Sequence, residues 1–144
     1  MQKTAEALAE AAEDLFGFGA VCAGGDAQLA ETSVSNAFLE GWEQGWFSWD
    51  DGVPRYAESR AKFYRALWEE WRHRGRNAEV AGAWRSFFLL PPEMRAALFL
   101  RHKRKCSVSA IGFVLDVADD EVRRLLQEGR TLLLGRAPVE VEEL

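Results

Sequence analysis

The sequence is poor in the residues that build covalent or metal-bound frameworks. Its 144 residues include two cysteines, Cys22 and Cys106, and two histidines, His73 and His102. Two cysteines make no disulfide framework, and in a reducing cytosol the default is two free thiols. His102 and Cys106 are close enough in sequence to share a helix face, but a structural zinc site takes four ligands, so no metal is expected. Neither histidine has a serine or cysteine plus an acid at a recognisable spacing, and the carboxylates are scattered. No arrangement predicts a reaction, so an enzyme, a cofactor and a small-molecule substrate are all unexpected.

Long apolar runs are missing too. The longest fall far short of the ~20 residues that a membrane span needs. The opening residues, MQKTAEALAEAAEDLF, carry acids where a signal peptide has a basic segment and an apolar run. A cytoplasmic protein without membrane contact is the expectation. No period-two run bounded by turns is sustained, so no strand is predicted and the fold class reads as all-α. Internal repeats and low-complexity tracts are absent from the sequence. Gly24-Gly25 has neither a following Lys-Ser/Thr nor a preceding strand, so it reads as a turn and not a phosphate loop.

A basic excess is lacking as well. The net charge is −5, and it is unevenly spread. Residues 1–50 carry one Lys and nine acids, net −8; residues 51–90 are net +3; residues 91–144 carry nine of each sign, net 0. A dedicated nucleic-acid binder shows a clear basic patch or stripe, whereas here cations come only in short clusters.

Aromatic residues, by contrast, are plentiful: six Trp and nine Phe can supply a sizeable core. Residues 3–16 form a predicted helix, rich in Ala, Leu and Glu, with Leu8, Ala11, Ala12, Leu15 and Phe16 on one face. Gly17, Gly19, Gly24 and Gly25 are expected to break it. Asp26 is a predicted cap for a helix over 27–45, whose inner face uses Leu29, Val34, Ala37, Phe38 and Trp42. Trp42, Trp46, Phe47 and Trp49 then crowd together before a loop at Asp51-Gly52 and Pro54. Four aromatics so close together are either an interhelical corner of the core or a partly exposed surface for another helix. A third helix is predicted over 55–73, with Tyr56, Phe63, Ala66, Leu67 and Trp71 as its apolar stripe, widened by Tyr64 and Trp68. Arg55, Arg60, Lys62 and Arg65 fall outside the stripe and read as a solvated face, followed by Arg72, Arg74 and Arg76. Residues 75–80 begin a linker, and helical spacing returns over 81–89.

The most informative stretch is 90–134, LPPEMRAALFLRHKRKCSVSAIGFVLDVADDEVRRLLQEGRTLLL. Two prolines open a helix with Met94, Ala97, Leu98 and Leu100 on one broad face. After a basic break comes a short helix with Val108, Ile111, Val114 and Leu115 inside. A tight turn at Asp116-Val117-Ala118 leads to a longer helix with Val122, Leu125, Leu126, Leu132 and Leu133. Short helix, tight turn and longer helix are the pattern of a helix-turn-helix.

This stretch resembles region four of bacterial extracytoplasmic-function sigma factors, with Leu90-Pro91-Pro92, Ser107, Ile111, Leu115, Val122 and Arg130 in matching places. Upstream, GDAQLAETSVSNAFLEGW is placed like the polymerase-clamp-binding helix of region two, and PRYAESRAKFYRALWEEWRHR like the promoter −10 helix. The resemblance implies a region-two-like helical lobe over 1–76, a linker or connecting helix over 77–90, a region-four-like lobe over 91–136 and an acidic tail over 137–144.

The departures from that pattern matter. The acidic-Leu-x-Gln-Glu of region two has become Ala27, Gln28, Leu29, Ala30, Glu31, Thr32. The turn that usually holds Gly has Asp116, which tolerates a left-handed conformation. The recognition helix opens Asp119-Asp120-Glu121 instead of with basic or hydroxyl side chains. Asp119 is a good N-cap, and acids in a first turn favour the helix dipole. That same end enters the major groove in DNA readers, where three acids would face phosphates.

The runs ESRAKFYRALWEEW and DDEVRRLLQEGR look closer to the sigma-like domain of PhyR-type response regulators of the general stress response, without a receiver domain, than to an average sigma factor. That similarity implies a sigma mimic binding an anti-sigma factor or similar helical regulator, through Trp42, Trp46, Trp49, Phe63, Leu67 and Trp71 in the first lobe and Leu98, Phe99, Val114 and Leu125 in the second. The alternative is a divergent sigma factor that binds RNA polymerase core and promoter DNA. It would use Arg123, Arg124, Gln127 and Arg130 at the −35 element, with Arg101, Lys103, Arg104 and Lys105 on phosphates. A third reading is a dimeric helix-turn-helix regulator unconnected to polymerase, with a palindromic site.

Overall fold

In the computed structural model, residues 2–50, 53–72 and 85–136 are described. Helix α1 spans Gln2–Cys22 and does not break at Gly17 or Gly19 as expected. Those glycines serve packing instead. A Cβ at Gly19 would lie 3.4 Å from Val34 and 3.6 Å from Ala30, both on the next helix, and one at Gly17 would meet the Arg104 guanidinium. The break comes at Gly24 and Gly25, whose φ values of 70° and 94° favour glycine.

Helix α2 spans Ala27–Gln44. Asp26 caps it as predicted, accepting from the Leu29 N–H at 3.1 Å. Its buried face is Ala30, Ser33, Val34, Ala37 and Gly41, while Trp42, expected inside, is 63% exposed. Among the described residues there is one strand pair, β1 (Ser48–Asp50) with β2 (Val53–Arg55), antiparallel with Trp49 opposite Pro54. No strand was expected. Three-residue strands are too short to show a period, and the only local cue was Asp51-Gly52, a dipeptide that favours hairpins.

Helix α3 spans Tyr56–Arg72, and its stripe is as predicted: Phe63, Tyr64, Leu67, Trp68 and Trp71 are buried. His73, Arg74, Arg76, the linker start at 75–80 and the first part of the helix predicted over 81–89 lie outside the described residues, as does the tail 137–144. A one-turn helix α4 (Arg85–Phe88) leads to α5 (Pro92–His102), with Pro92 in its first turn, where a missing N–H costs nothing. Arg95 is 1% exposed and staples this junction, donating from Nη1 to the Phe88 carbonyl at 3.0 Å and the Leu90 carbonyl at 3.3 Å.

Helix α6 (Val108–Leu115) is capped by the Ser107 hydroxyl, which accepts from Ala110 N–H at 3.1 Å. It ends at Asp116 in the left-handed region, φ 59°, as its residue type allows. Helix α7 spans Asp119–Arg136. Asp119 is its first residue and not its cap; its carboxylate accepts from the Ser109 hydroxyl of α6 at 3.2 Å.

Apart from the hairpin, the described chain is all-helical. Buried residues from both halves join one apolar cluster, running from Leu15, Phe18, Phe63 and Tyr64 to Leu98, Ile111, Val114 and Leu125. Helix α1 packs on α2, α3 and α5, and α3 packs on α6. The two halves therefore meet over a shared core.

A tight point in the second half is Gly112, where a Cβ would stand 2.8 Å from the Val117 carbonyl oxygen. Backbone cannot retreat as a side chain can. Gly112→Ala is expected to lose about 1–3 kcal/mol in urea unfolding. Gly45→Ala, which meets nothing within 4 Å but has φ 70°, should lose only about 1–2 kcal/mol.

Candidate functional site

Where the halves meet, their polar groups converge on one carboxylate. Asp14 of α1 accepts hydrogen bonds from Tyr56 and from Tyr64, the latter at 2.6 Å, both on α3. The Arg104 guanidinium, from the loop after α5, pairs with it at 2.5 Å and also donates to the Asp14 backbone carbonyl at 3.1 Å. Arg104 in turn lies 4.8 Å from the centre of the Phe99 ring. Arg60 of α3 donates to the Arg104 carbonyl at 2.9 Å and approaches the Cys106 sulfur at 3.8 Å. Lower down, Arg65 pairs with Asp116 at 3.8 Å and sits over Phe113 at 4.9 Å. Arg60 and Arg65 therefore face the second half, not solvent as their position outside the stripe suggested.

Burial sets the chemistry of this junction. Tyr56 is pushed well above the usual phenol range, by burial first and then by neighbouring Tyr64 and Asp14. Tyr64 is raised by burial and by its hydrogen bond to Asp14. Burial also raises the Cys22 and Cys106 thiols, so both stay protonated and poorly reactive.

The aromatic corner divides in two. Trp46 and Phe47 pack on Phe63, with ring centres 5.1 Å away in each case, and Ser59 donates to the Trp46 carbonyl. Trp42 and Trp49 lie outside, edge to face at 5.9 Å, 63% and 49% exposed. Of the residues nominated for a protein surface, only Trp42 and Trp49 are open. Trp46 and Phe99 are partly covered. Phe63, Leu67, Trp71, Val114 and Leu125 belong to the core, and so does Leu98 for most of its surface. Helical apolar spacing marks whichever face is buried, so it nominated core residues together with surface ones.

The residues nominated for DNA divide by charge pairing. Arg104 is committed to Asp14. On α7, Arg123 pairs with Asp120 at 2.9 Å, and Arg124 pairs with Glu121 and, at 2.6 Å, with Glu128. Gln127 is exposed. Arg101 is exposed and donates to the Cys106 carbonyl at 3.0 Å. Arg130 contacts His102 Nε2 at 3.1 Å. His102 is held below the usual imidazole range, by desolvation first and then by Arg130, Lys105 and Arg101, so it is neutral at pH 7 and accepts from Arg130. Lys103 and Lys105 are exposed. Among the described residues no carboxylate pairs with Lys103, Lys105 or Arg130. Lys103 and Arg130 edge a groove of about 420 Å³ between α4, α5 and α7, floored by Phe87, Leu98, Phe99 and Leu133.

Sequence reading missed the Asp14 junction and this groove. A lone Asp in an acidic helix carries no sign of partners from residues 56, 64 and 104. The only available cue was that the chain's two tyrosines both sit on one predicted helix.

No protein-family model matches the chain, and no curated protein matches it significantly. A solved structure does match: the sigma factor RpoE from Bartonella quintana, crystallised in complex with the anti-sigma factor NepR. It superimposes with a TM-score of 0.70 over 94% of this chain and 96% of its own, at 14% identity. The chain thus has a sigma-factor-like fold through both halves.

Two measurements check the junction. Asp14→Ala and Arg104→Ala should each cost about 2–4 kcal/mol, with the double variant well short of the sum, whereas Lys103→Ala should stay within about 0.5 kcal/mol. Both tyrosines also ionise more readily unfolded, near pH 10, than folded. Their contribution to stability is therefore full below that pH and falls as pH rises through it. Tyrosinate absorbance at 295 nm should appear together with unfolding and not before it.

Proposed function

We propose that the chain is a sigma-factor-like regulator of bacterial transcription that works through a protein partner, an anti-sigma factor or similar helical regulator. What carries this reading is the charge arrangement on α7. Affinity for DNA depends mainly on how many phosphates a protein neutralises. Arg123 and Arg124 already have carboxylates from their own helix within reach, and Asp119 and Asp120 stand exposed at the end that would enter a groove. A duplex would have to displace those pairs and face the acids.

Two further observations support a protein partner. RpoE, whose fold the chain shares, was crystallised with an anti-sigma factor. The exposed Trp42–Trp49 pair offers the first half an anchor for an amphipathic helix, since exposed aromatics of this kind suit helix docking. The shared core and the Asp14 junction keep the halves together, whereas a sigma factor engaging polymerase needs both lobes open to it.

The alternative, a divergent sigma factor that binds core polymerase and promoter DNA, draws on Lys103, Lys105 and Arg130, which no described carboxylate neutralises. Capture from native cytosol combined with run-off transcription separates the two. The proposal expects a small anti-sigma-like protein on the chain and no promoter-specific transcript with core polymerase. A specific transcript with no protein partner would overturn it. Replacing Asp119, Asp120 and Glu121 by Ser should raise low-salt affinity for duplex DNA by roughly tenfold or more, read by gel shift.

A further inference from the structure

We infer that the groove between α1 and α2 and the Trp42–Trp49 pair form one docking surface, and that its occupant is a cationic amphipathic helix of the partner. The inference rests on the partner reading and deepens it by giving the partner's helix a sign. The groove, of about 810 Å³, is floored by Ala12, Phe16, Val34 and Phe38 and edged by Glu13, Glu31 and Ser35. Helical spacing placed Phe16 and Phe38 on inner faces, yet both are only partly covered.

Rings carry this floor on to the tryptophans. Phe38 stacks on Phe47 at 6.0 Å, Phe47 meets Trp49 at 6.4 Å, and Trp49 meets Trp42 at 5.9 Å. Along α2, Glu31, Ser35, Phe38 and Trp42 stand at i, i+4, i+7 and i+11, which is one face of a helix. That face runs for about 16 Å, enough for about three turns of a partner helix.

Charge fixes the occupant. Glu13 and Glu31 are exposed, and among the described residues no cation pairs with either. Helix α2 carries Glu31, Glu40 and Glu43 and no Lys or Arg. Residues 1–50 as a whole are net −8. Duplex DNA is repelled by this face, and so is the matching face of a second copy. A helix with aliphatic side chains along one edge and Lys or Arg beside them answers every part of it. The aliphatics cover the floor, the cations pair with Glu13 and Glu31, and one cation can lie on an exposed indole.

The probe is a synthetic Leu/Lys peptide patterned as an amphipathic helix and added to the full chain, with its Leu/Glu counterpart as control. The expected result is that the Leu/Lys peptide moves the amide signals of Phe16, Glu31, Ser35 and Phe38 and the indole signals of Trp42 and Trp49. Salt should weaken the effect, and the Leu/Glu peptide should not produce it. Glu31→Lys and Trp42→Ala, both at exposed positions, should each lower affinity roughly tenfold. Glu40→Lys makes the same charge change nine residues on, half a turn round α2, and should stay within about twofold. Shifts confined to other surfaces overturn the inference, and so does equal binding of the Leu/Glu peptide or an equal loss in Glu40→Lys. Shifts of the same signals on concentrating the chain alone would make the occupant a second copy and overturn it too. Capture from native cytosol separates this from the reading it rests on. An anti-sigma-like protein still held by the Glu31→Lys and Trp42→Ala chains sinks the inference and leaves the partner reading standing. A specific promoter transcript with no captured protein, beside a peptide bound as expected, sinks the partner reading and leaves the sign of the surface intact.

Discussion

The carboxylate of Asp14 is the point on which the arrangement of the two halves depends. It receives Tyr56 and Tyr64 from one direction and Arg104 from the other. A half-buried charge of this kind is tolerable only when its lone pairs are filled, and here they are. The arginine brings its own support: Phe99 beneath the guanidinium, and Arg60 on its backbone carbonyl. Apolar burial draws the halves together without direction, because Phe18, Phe63, Ile111 and Val114 would accept many orientations. The polar contacts are geometrically selective and fix one of them.

What the sequence disclosed follows from what its periodicities measure. Helical spacing located α2, α3, α5, α6 and α7 to within a few residues, because each buries one face. Capping chemistry identified Asp26 but misplaced Asp119, which sits inside the first turn, and residue type anticipated the left-handed Asp116. Gly17 and Gly19 misled because glycine is read locally as a breaker. In α1 they make room for Arg104 and α2, which local reading cannot see. Trp42 was assigned inward by the same spacing that places Phe38, yet it projects from the last turn of α2 beyond the core.

The candidate surface was less legible than the fold, for a physical reason. A partner-binding residue and a core residue have the same composition and the same period, so Phe63, Leu67 and Val114 could not be told from Trp42 and Trp49. Charges were more informative, since i,i+3 and i,i+4 neighbours on a helix are fixed by sequence. The acids at Asp119, Asp120 and Glu121 were legible from the start. The pairing of Asp120 with Arg123 and of Glu121 with Arg124 follows from spacing alone. Pairings over long sequence separations, such as Asp14 with Arg104, are set only by the folded chain.

The pairs along α7 say something about how far this helix stands from its opposite. They are held by side chains on a solvent-facing surface, and the backbone beneath them gains from the sign of the first-turn acids only modestly, by about 0.3–1 kcal/mol each. A fold shared at a TM-score of 0.70 with 14% identity constrains that backbone and leaves the charges free. Replacing a few exposed carboxylates would turn an electrically quiet helix into a cationic one, with no change to the core behind Val122 and Leu125. In mutational terms the two surfaces are near neighbours, reached through exposed positions that cost little stability.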